Sequence, residues 1–211
     1  MGHQKPSRSP IVSNTDQWVR QLIVKPTMNQ QPFDLINRLQ VRTAMLAIGH
    51  STLRSQGAPG MVAEARRFLR NVDLHLFSVG ASEQFMAVLD TQTNLLSSQF
   101  PDGGRGNWGA ARKSLNIFLR DVFYCRPLCE HYKLAVFEPW LEVPLDSNVY
   151  EGLLSDTTNA AVPWPGVKAL TPAVSSKLQS TASAVAKSLG VARVHLDVRY
   201  WRKVALDELE G

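Results

Sequence analysis

Residues 99–116 of this 211-residue chain read QFPDGGRGNWGAARKSLN, and this stretch decides the fold. One proline and three glycines fall within residues 101–106, which is the composition of a tight turn. Apolar residues recur at helical spacing on both sides of that turn, and the second run begins near Trp108. The stretch therefore predicts two helices joined by a short turn.

Two helices joined in this way form a helix-hairpin-helix, whose geometry suits a phosphate group. At the start of the second helix, backbone N–H groups point toward the turn and the positive end of the helix dipole favours an anion. The residues expected to contact a phosphate there, such as one of a DNA backbone, are Gly103, Gly104, Arg105, Gly106, Gly109 and Arg112. The turn therefore predicts a phosphate-binding surface, and the structural alternative is a plain connector between two helices.

The sequence on either side of this segment is also mainly helical in its pattern. Helices are predicted over residues 32–54, 61–77, 82–96, 108–132 and 172–189, with a short one after Asp146 and with Pro127 ending or kinking the fourth. Residues 191–201 alternate between apolar and polar side chains, which favours a strand, with residues 134–143 as its partner. We expect a mainly α fold, a single two-lobed helical domain over residues 16–211. The hairpin and the active site are expected within residues 85–155, and a small β element near the C-terminus.

Composition and charge limit the classes of protein to consider. Lysines and arginines outnumber acidic residues 23 to 18, which gives a net charge of +5, and 44% of the residues are hydrophobic. A basic chain with enough apolar residues for a core is compatible with phosphate-rich partners. No apolar run approaches the roughly 18 residues of a membrane helix, and two cysteines cannot form a disulfide scaffold. We therefore expect an intracellular globular protein without membrane contact, with a flexible basic tail over residues 1–15.

Lys113 and Asp146 are the strongest candidates for catalytic residues. Lys113 lies in the second turn of the predicted helix, where the helix dipole and Arg112 disfavour a protonated ammonium and favour an amine nucleophile. Asp146 follows an apolar segment and starts the next predicted helix. The structural alternative is that Lys113 belongs to a solvated helix face and that Asp146 is an N-cap.

These two motifs resemble those of the HhH-GPD superfamily of DNA glycosylases. Residues 112–116, RKSLN, are similar to the catalytic-lysine helix of that superfamily, and residues 145–149, LDSNV, are similar to its Val-Asp-Thr-His-Val segment. The wide separation of the lysine and the aspartate is more like that of the archaeal 8-oxoguanine glycosylases than that of endonuclease III. The resemblance implies that Lys113 attacks the deoxyribose C1′ and forms a Schiff base. It also implies that Asp146 helps to deprotonate the lysine and stabilises positive charge on the sugar.

Three tryptophans are candidates for a base pocket, because flipped bases stack on aromatic side chains. Trp108, Trp140 and Trp164 all fall in or beside predicted loops, although packing in the core is the commoner use of this residue. No metal site is expected at Cys125 and Cys129, because zinc normally takes four ligands and the chain has no other cysteine. The four cysteines of the superfamily's iron–sulfur branch are absent, and no cofactor is expected.

The resemblance implies a DNA base-excision glycosylase that is bifunctional, with AP-lyase activity through a lysine Schiff base. The expected partner is duplex DNA with a damaged base such as 8-oxoguanine. Two positions depart from the superfamily pattern, since Ala111 stands in place of a hairpin glycine and Asn148 in place of a histidine. The alternative is a non-catalytic basic helical module that binds nucleic acid. A third reading is an interaction protein whose C-terminal strand pairs with a partner.

Overall fold

The computed structural model describes Met1, residues 33–157 and residues 162–201. The described residues from Leu35 to Trp201 belong to one compact unit. The basic tail predicted at residues 1–15 lies outside the described residues, apart from Met1. Every regular element of the described residues is a helix, which confirms the prediction of a mainly α fold.

The α-helices of the described residues are connected by short turns and 3-10 helices. They are α1 (Leu35–Ala47), α2 (Met61–Leu69), α3 (Ser82–Gln99), α4 (Trp108–Tyr124), α5 (Arg126–His131), α6 (Ser147–Asp156), α7 (Pro172–Ser188) and α8 (Leu196–Tyr200). The 3-10 helices are Leu74–Phe77, Leu134–Trp140, Val167–Ala169 and Arg193–His195. Several helices are shorter than their sequence pattern predicts, since α1 ends at Ala47 and α2 at Leu69.

In the part of the chain that the structure describes, buried apolar side chains form two clusters. The larger cluster comes mainly from α1 to α5, and the smaller cluster comes mainly from α6, α7 and α8. Leu141 belongs to the larger cluster, whereas Val143 and Leu145 belong to the smaller one. The segment between the 3-10 helix Leu134–Trp140 and α6 therefore passes from one cluster to the other.

An N-cap side chain and a nearby proline account for the two ends of helix α4. Asn107 is its N-cap, and its Oδ1 accepts a hydrogen bond of 2.9 Å from the Ala110 N–H. At the other end, Cys125 has an extended backbone and Pro127 lies in the first turn of α5. Proline has no N–H to continue the helix, and the break predicted at Pro127 therefore falls two residues before it.

The turn between α3 and α4 packs on the loop that precedes α2. Gly103 and Gly106 have φ values of +85° and +78°, which L residues with a side chain rarely adopt. A Cβ on Gly104 would lie 2.6 Å from the Met61 sulfur. The Asn107 side-chain amide donates a 2.6 Å hydrogen bond to the Gln56 carbonyl. These contacts hold the turn beside residues 51–57.

The strand predicted over residues 191–201 is wrong. This segment forms the 3-10 helix Arg193–His195 followed by α8, and its expected partner forms the 3-10 helix Leu134–Trp140. Leu196 and Tyr200 lie one helical turn apart and are both buried, whereas Val198 is 60% exposed. A strand would place all three on one face, and the helix separates them.

Candidate active site

Lys113 and Asp146 meet in a cleft of about 540 Å³. The Nζ atom of Lys113 lies 3.2 Å from Oδ2 of Asp146, which makes an ion pair. Lys113 comes from α4, and Asp146 is the residue that precedes α6. The side chains are 10% and 28% exposed, respectively. The pair is therefore shielded by the fold on most sides and reached by solvent through the cleft.

The two carboxylate oxygens of Asp146 have different partners. Oδ1 accepts a 3.0 Å hydrogen bond from the Val149 N–H and caps α6, whereas Oδ2 faces Lys113. The cap holds the carboxylate in one orientation, because an N-cap side chain must reach back to the first turn of its helix. Capping of α6 and pairing with the amine are thus compatible roles of one side chain.

A second ion pair lines the same cleft. Lys113, Ile117 and Arg120 follow one another at helical spacing on the face of α4 that borders it. The Arg120 guanidinium donates to Asp197, which lies in the first turn of α8. The cleft therefore has two basic side chains from α4, each paired with an aspartate from another segment.

The charged groups of the cleft act together on Asp197. Burial is the largest influence on Asp197 and raises the pKa of its carboxyl, and the positive charge of Arg120 opposes that rise. The negative charge of Asp146 adds to it, and the positive charge of Lys113 opposes it. The four charged groups thus form one electrostatic cluster.

Two aromatic side chains border the cleft. Trp164 is half-buried and stacks on Tyr150, with 5.8 Å between the ring centroids and 21° between the ring planes. Trp201 directly follows α8 and is exposed. Polar residues complete the lining, among them Arg54 from the loop after α1 and Asn148 in the first turn of α6. The cleft combines charged groups with flat apolar surfaces.

Of the three tryptophans considered as base-pocket residues, Trp164 alone lines this cleft. Trp140 packs in the larger cluster against Phe85 and Phe137, at centroid distances of 6.1 and 5.3 Å. The Trp108 ring lies under the guanidinium of Arg112, at 5.2 Å. Core packing therefore accounts for Trp140, and a cation–π contact accounts for Trp108.

Arg112 and Gly109 are not surface residues, which corrects their predicted role in DNA binding. Arg112 is 4% exposed and donates to Glu142 and to Asp90. Because its donors are already engaged, it does not reach a phosphate, and it does not act on Lys113 as an unpaired charge. Gly109 is buried against Val167, whose carbonyl oxygen would lie 2.0 Å from an added Cβ.

The remaining hairpin residues lie at the surface, except for Gly104. Gly103, Arg105 and Gly106 are exposed, and Arg105 forms an exposed ion pair of 3.0 Å with Asp102. The Gly104 and Gly106 N–H groups donate to carbonyl oxygens of Pro101 and Ser97, and they are used inside the turn. Arg105 is thus an exposed basic side chain of the turn between α3 and α4.

The cleft also contains residues that the sequence interpretation missed. Arg120 carries a detectable signal, because it follows Lys113 by seven residues and shares its helix face. The strand predicted over residues 191–201 gives no reason to place Asp197 and Trp201 in this cleft.

In the part of the chain that the structure describes, no group of three or more potential metal ligands is present. No described helix is long and apolar enough to cross a bilayer.

The arrangement provides an amine next to a carboxylate, inside a cleft with aromatic walls. An amine so placed can act as a nucleophile once the carboxylate or water has taken its proton. Comparison of the chain with protein-family models, with curated proteins and with solved structures gives no match.

Proposed function

We propose that the protein is a DNA glycosylase with AP-lyase activity, which acts on a damaged base in duplex DNA and uses Lys113 as its nucleophile. The observation that carries the proposal is the 3.2 Å contact between the Lys113 amine and the Asp146 carboxylate inside an open cleft. The motifs around both residues resemble those of the HhH-GPD superfamily. 8-Oxoguanine is the first lesion to test.

The reaction begins with a proton transfer from the Lys113 ammonium to Oδ2 of Asp146. The neutral amine then forms a bond to C1′ while the bond from C1′ to the base breaks. The base leaves with the electron pair of that bond and takes up the proton held by Asp146, whose carboxylate is then charged again and stabilises the cationic character of the sugar. The attached nitrogen loses a proton, its lone pair forms the C1′=N bond as the C1′–O4′ bond breaks, and O4′ takes up a proton, which opens the sugar ring and leaves the imine.

The cleft fits a nucleotide turned out of the duplex. Its volume of about 540 Å³ lies within the range of about 300–1,000 Å³ that is typical of small-molecule sites. Flipped bases are held by stacking on aromatic side chains, and Trp164 and Trp201 offer such surfaces. Arg54 and Arg105 provide positive charge near the cleft and on the hairpin, respectively, for the DNA backbone.

Borohydride trapping tests the proposal directly. The reagent adds hydride to the imine carbon and leaves a secondary amine, which joins protein and DNA permanently. We expect wild-type protein to be trapped on duplexes that carry 8-oxoguanine or an abasic site. Lys113→Gln should abolish trapping and leave DNA affinity within a few-fold. The matched control is Lys177→Gln, which removes an exposed lysine of α7.

The outcomes separate an enzyme from a binding module. Trapping that persists in Lys113→Gln would mean that another amine is the nucleophile. A wild-type protein that binds duplex DNA, yet is never trapped and excises no base across a panel of lesions, would be the non-catalytic nucleic-acid-binding module.

A further inference from the structure

Asp146 is delivered to Lys113 by a segment without regular secondary structure, residues 141–145. The backbone of this segment belongs to no helix, and side chains from other parts of the fold form hydrogen bonds with it. Gln179 of α7 donates a 2.8 Å hydrogen bond to the Val143 carbonyl and accepts one of 3.2 Å from the Val143 N–H. This side chain thus replaces the partner strand that an extended segment would otherwise need.

Arg193 holds the start of the same segment. Its guanidinium donates to the carbonyl oxygens of Trp140 and Leu141, at 2.9 and 3.0 Å. Burial is the largest influence on Arg193 and lowers its pKa, while the negative charge of Glu142 opposes that shift. The segment is therefore anchored by neighbouring side chains at several consecutive residues.

The centre of the anchorage is a buried cluster around Glu142, whose side chain is 3% exposed. Arg112 donates Nε to Oε2 at 2.8 Å and Nη2 to Oε1 at 3.1 Å. Asn116 donates to the same Oε2 at 2.9 Å. A two-bonded guanidinium–carboxylate contact fixes angle as well as distance. Arg112, Asn116 and Glu142 are called the Glu142 clamp below.

The clamp residues are close neighbours of Lys113 and Asp146 along the chain. Arg112 precedes Lys113 on α4, Asn116 follows it by one turn, and Glu142 stands four residues before Asp146. A buried ion pair is often no more stabilising than apolar residues of the same size, whereas a two-bonded guanidinium–carboxylate contact constrains the angle between its partners. The clamp joins the helix that carries the amine to the segment that carries the carboxylate.

We propose that the Glu142 clamp is a positioning device that sets the distance between the Lys113 amine and the Asp146 carboxylate. The proposal that the clamp sets this distance is based on the contacts described above. Its consequence for the reaction rests on the proposed function, because a displacement of about 1 Å at a reacting group can cost about a hundredfold in rate. Arg112, Asn116 and Glu142 are positioning residues that touch neither sugar nor base.

A zero-length crosslink measures that distance without DNA. A carbodiimide activates the Asp146 carboxylate, and the Lys113 amine displaces the urea to form an amide, with net loss of water. Among the described residues, Lys113–Asp146 is the one ion pair that involves a lysine, which makes the crosslinked peptide unambiguous in mass spectrometry. The crosslink yield therefore reports whether the two groups remain in contact.

The principal variant combines Arg112→Met with Glu142→Leu. Apolar residues of similar size commonly replace a buried ion pair without loss of stability, but the buried Asn116 amide loses its acceptor. We therefore expect a cooperative unfolding transition whose midpoint lies at a lower urea concentration than that of the wild type, because an unpaired buried amide is destabilising. The crosslink yield should fall about tenfold, and the rate of borohydride trapping on an abasic site by about 10- to 100-fold. A merely structural role would leave the crosslink yield of the folded variant unchanged.

Two further variants complete the test. Asp90→Asn is the control, because Asp90 contacts the same guanidinium at 2.8 Å from α3 and, in the described part of the chain, forms no direct hydrogen bond or ion pair with residues 141–145. Its crosslink yield should equal that of the wild type. Arg112→Lys keeps the buried charge and loses the two-bonded contact, and it should lower the yield by a smaller factor. If the double variant does not fold, the crosslink yield of Arg112→Lys tests the positioning role of the clamp.

Each result has one meaning. A wild-type crosslink yield in the folded double variant, or in folded Arg112→Lys when the double variant does not fold, overturns the positioning role. A reduced yield together with a wild-type protein that never traps DNA supports the clamp and rejects the proposed function. Slower trapping at an unchanged crosslink yield overturns the clamp and leaves the proposed function intact.

Discussion

At Asp146, one carboxylate oxygen caps a helix while the other faces an amine, and substitutions can separate the two roles. Asp146→Asn and Asp146→Ala both lose the ion pair with Lys113, but asparagine is still an N-cap and alanine is not. We predict that the alanine variant is less stable than the asparagine variant by about 1 kcal/mol. Urea denaturation of the two proteins measures this difference.

The chemical role of Asp146 predicts a different pattern. Because neither asparagine nor alanine accepts the Lys113 proton, both variants should be trapped on DNA more slowly than wild type by orders of magnitude, despite their unequal stability. Equal stability of the two variants would argue against the cap. Trapping of Asp146→Asn at the wild-type rate would show that the carboxylate is not needed.

Short sequence motifs predict Lys113 and Asp146 as a pair, because residues 112–116 and 145–149 each resemble a segment of one protein superfamily. Asp197 has no such motif, and it reaches the cleft through the packing of α8. The sequence predicts a phosphate contact for Arg112 because this residue lies in a basic segment. Its actual partner is Glu142, which is distant in sequence. Long-range pairing of charges decides both cases, and local sequence does not contain it.

At the scale of elements, helical periodicity predicts most helices of the described chain, and proline and glycine predict where several of them stop. The failure at residues 191–201 has a physical cause in α6. A Cβ on Gly152 would lie 2.2 Å from the Tyr200 ring, so the glycine makes room for that ring. Burial of Tyr200 against α6 favours the helix over a strand, and a single-sequence pattern of alternation cannot register it.

Gly109 provides the test at this scale. An alanine there gains helix propensity worth about 1 kcal/mol, but its Cβ would lie 2.0 Å from the Val167 carbonyl oxygen, which is backbone. Because the neighbouring 3-10 helix would have to shift, we predict a net loss of about 1–3 kcal/mol in Gly109→Ala. Thermal or urea unfolding measures it.

Gly80→Ala is the matched control for that experiment, since nothing lies within 4 Å of a Cβ at this position. Its unfolding free energy should stay within about 0.5 kcal/mol of wild type. A Gly109→Ala variant as stable as wild type would show that α4 does not depend on this close approach. In that case the hairpin glycine would be open again to a role in binding.

For the whole molecule, the cleft exists only because distant segments converge. The loop after α1, helix α4, the start of α6, and α8 with the residue that follows it each contribute side chains to the cleft. Sequence analysis predicts the pair at its centre through motifs, while its walls follow from tertiary packing. The hairpin is held beside this cleft by the bond between Asn107 and Gln56.

The proposed function and this arrangement together predict which arginine contributes to the salt dependence of DNA binding. Each phosphate contact contributes about 0.9 to the slope of log affinity against log salt concentration. Arg105 is exposed on the hairpin, and its ion pair with Asp102 is too exposed to hold it back, so we predict that Arg105→Ala lowers the slope by about 0.9. Arg126→Ala is the control, because this exposed arginine lies beyond the far end of α4, about 25 Å from the hairpin. Fluorescence anisotropy with duplex DNA over a salt series measures both slopes. An equal loss in the two variants would place the DNA elsewhere on the surface, and binding that ignores salt would exclude phosphate contacts as its source.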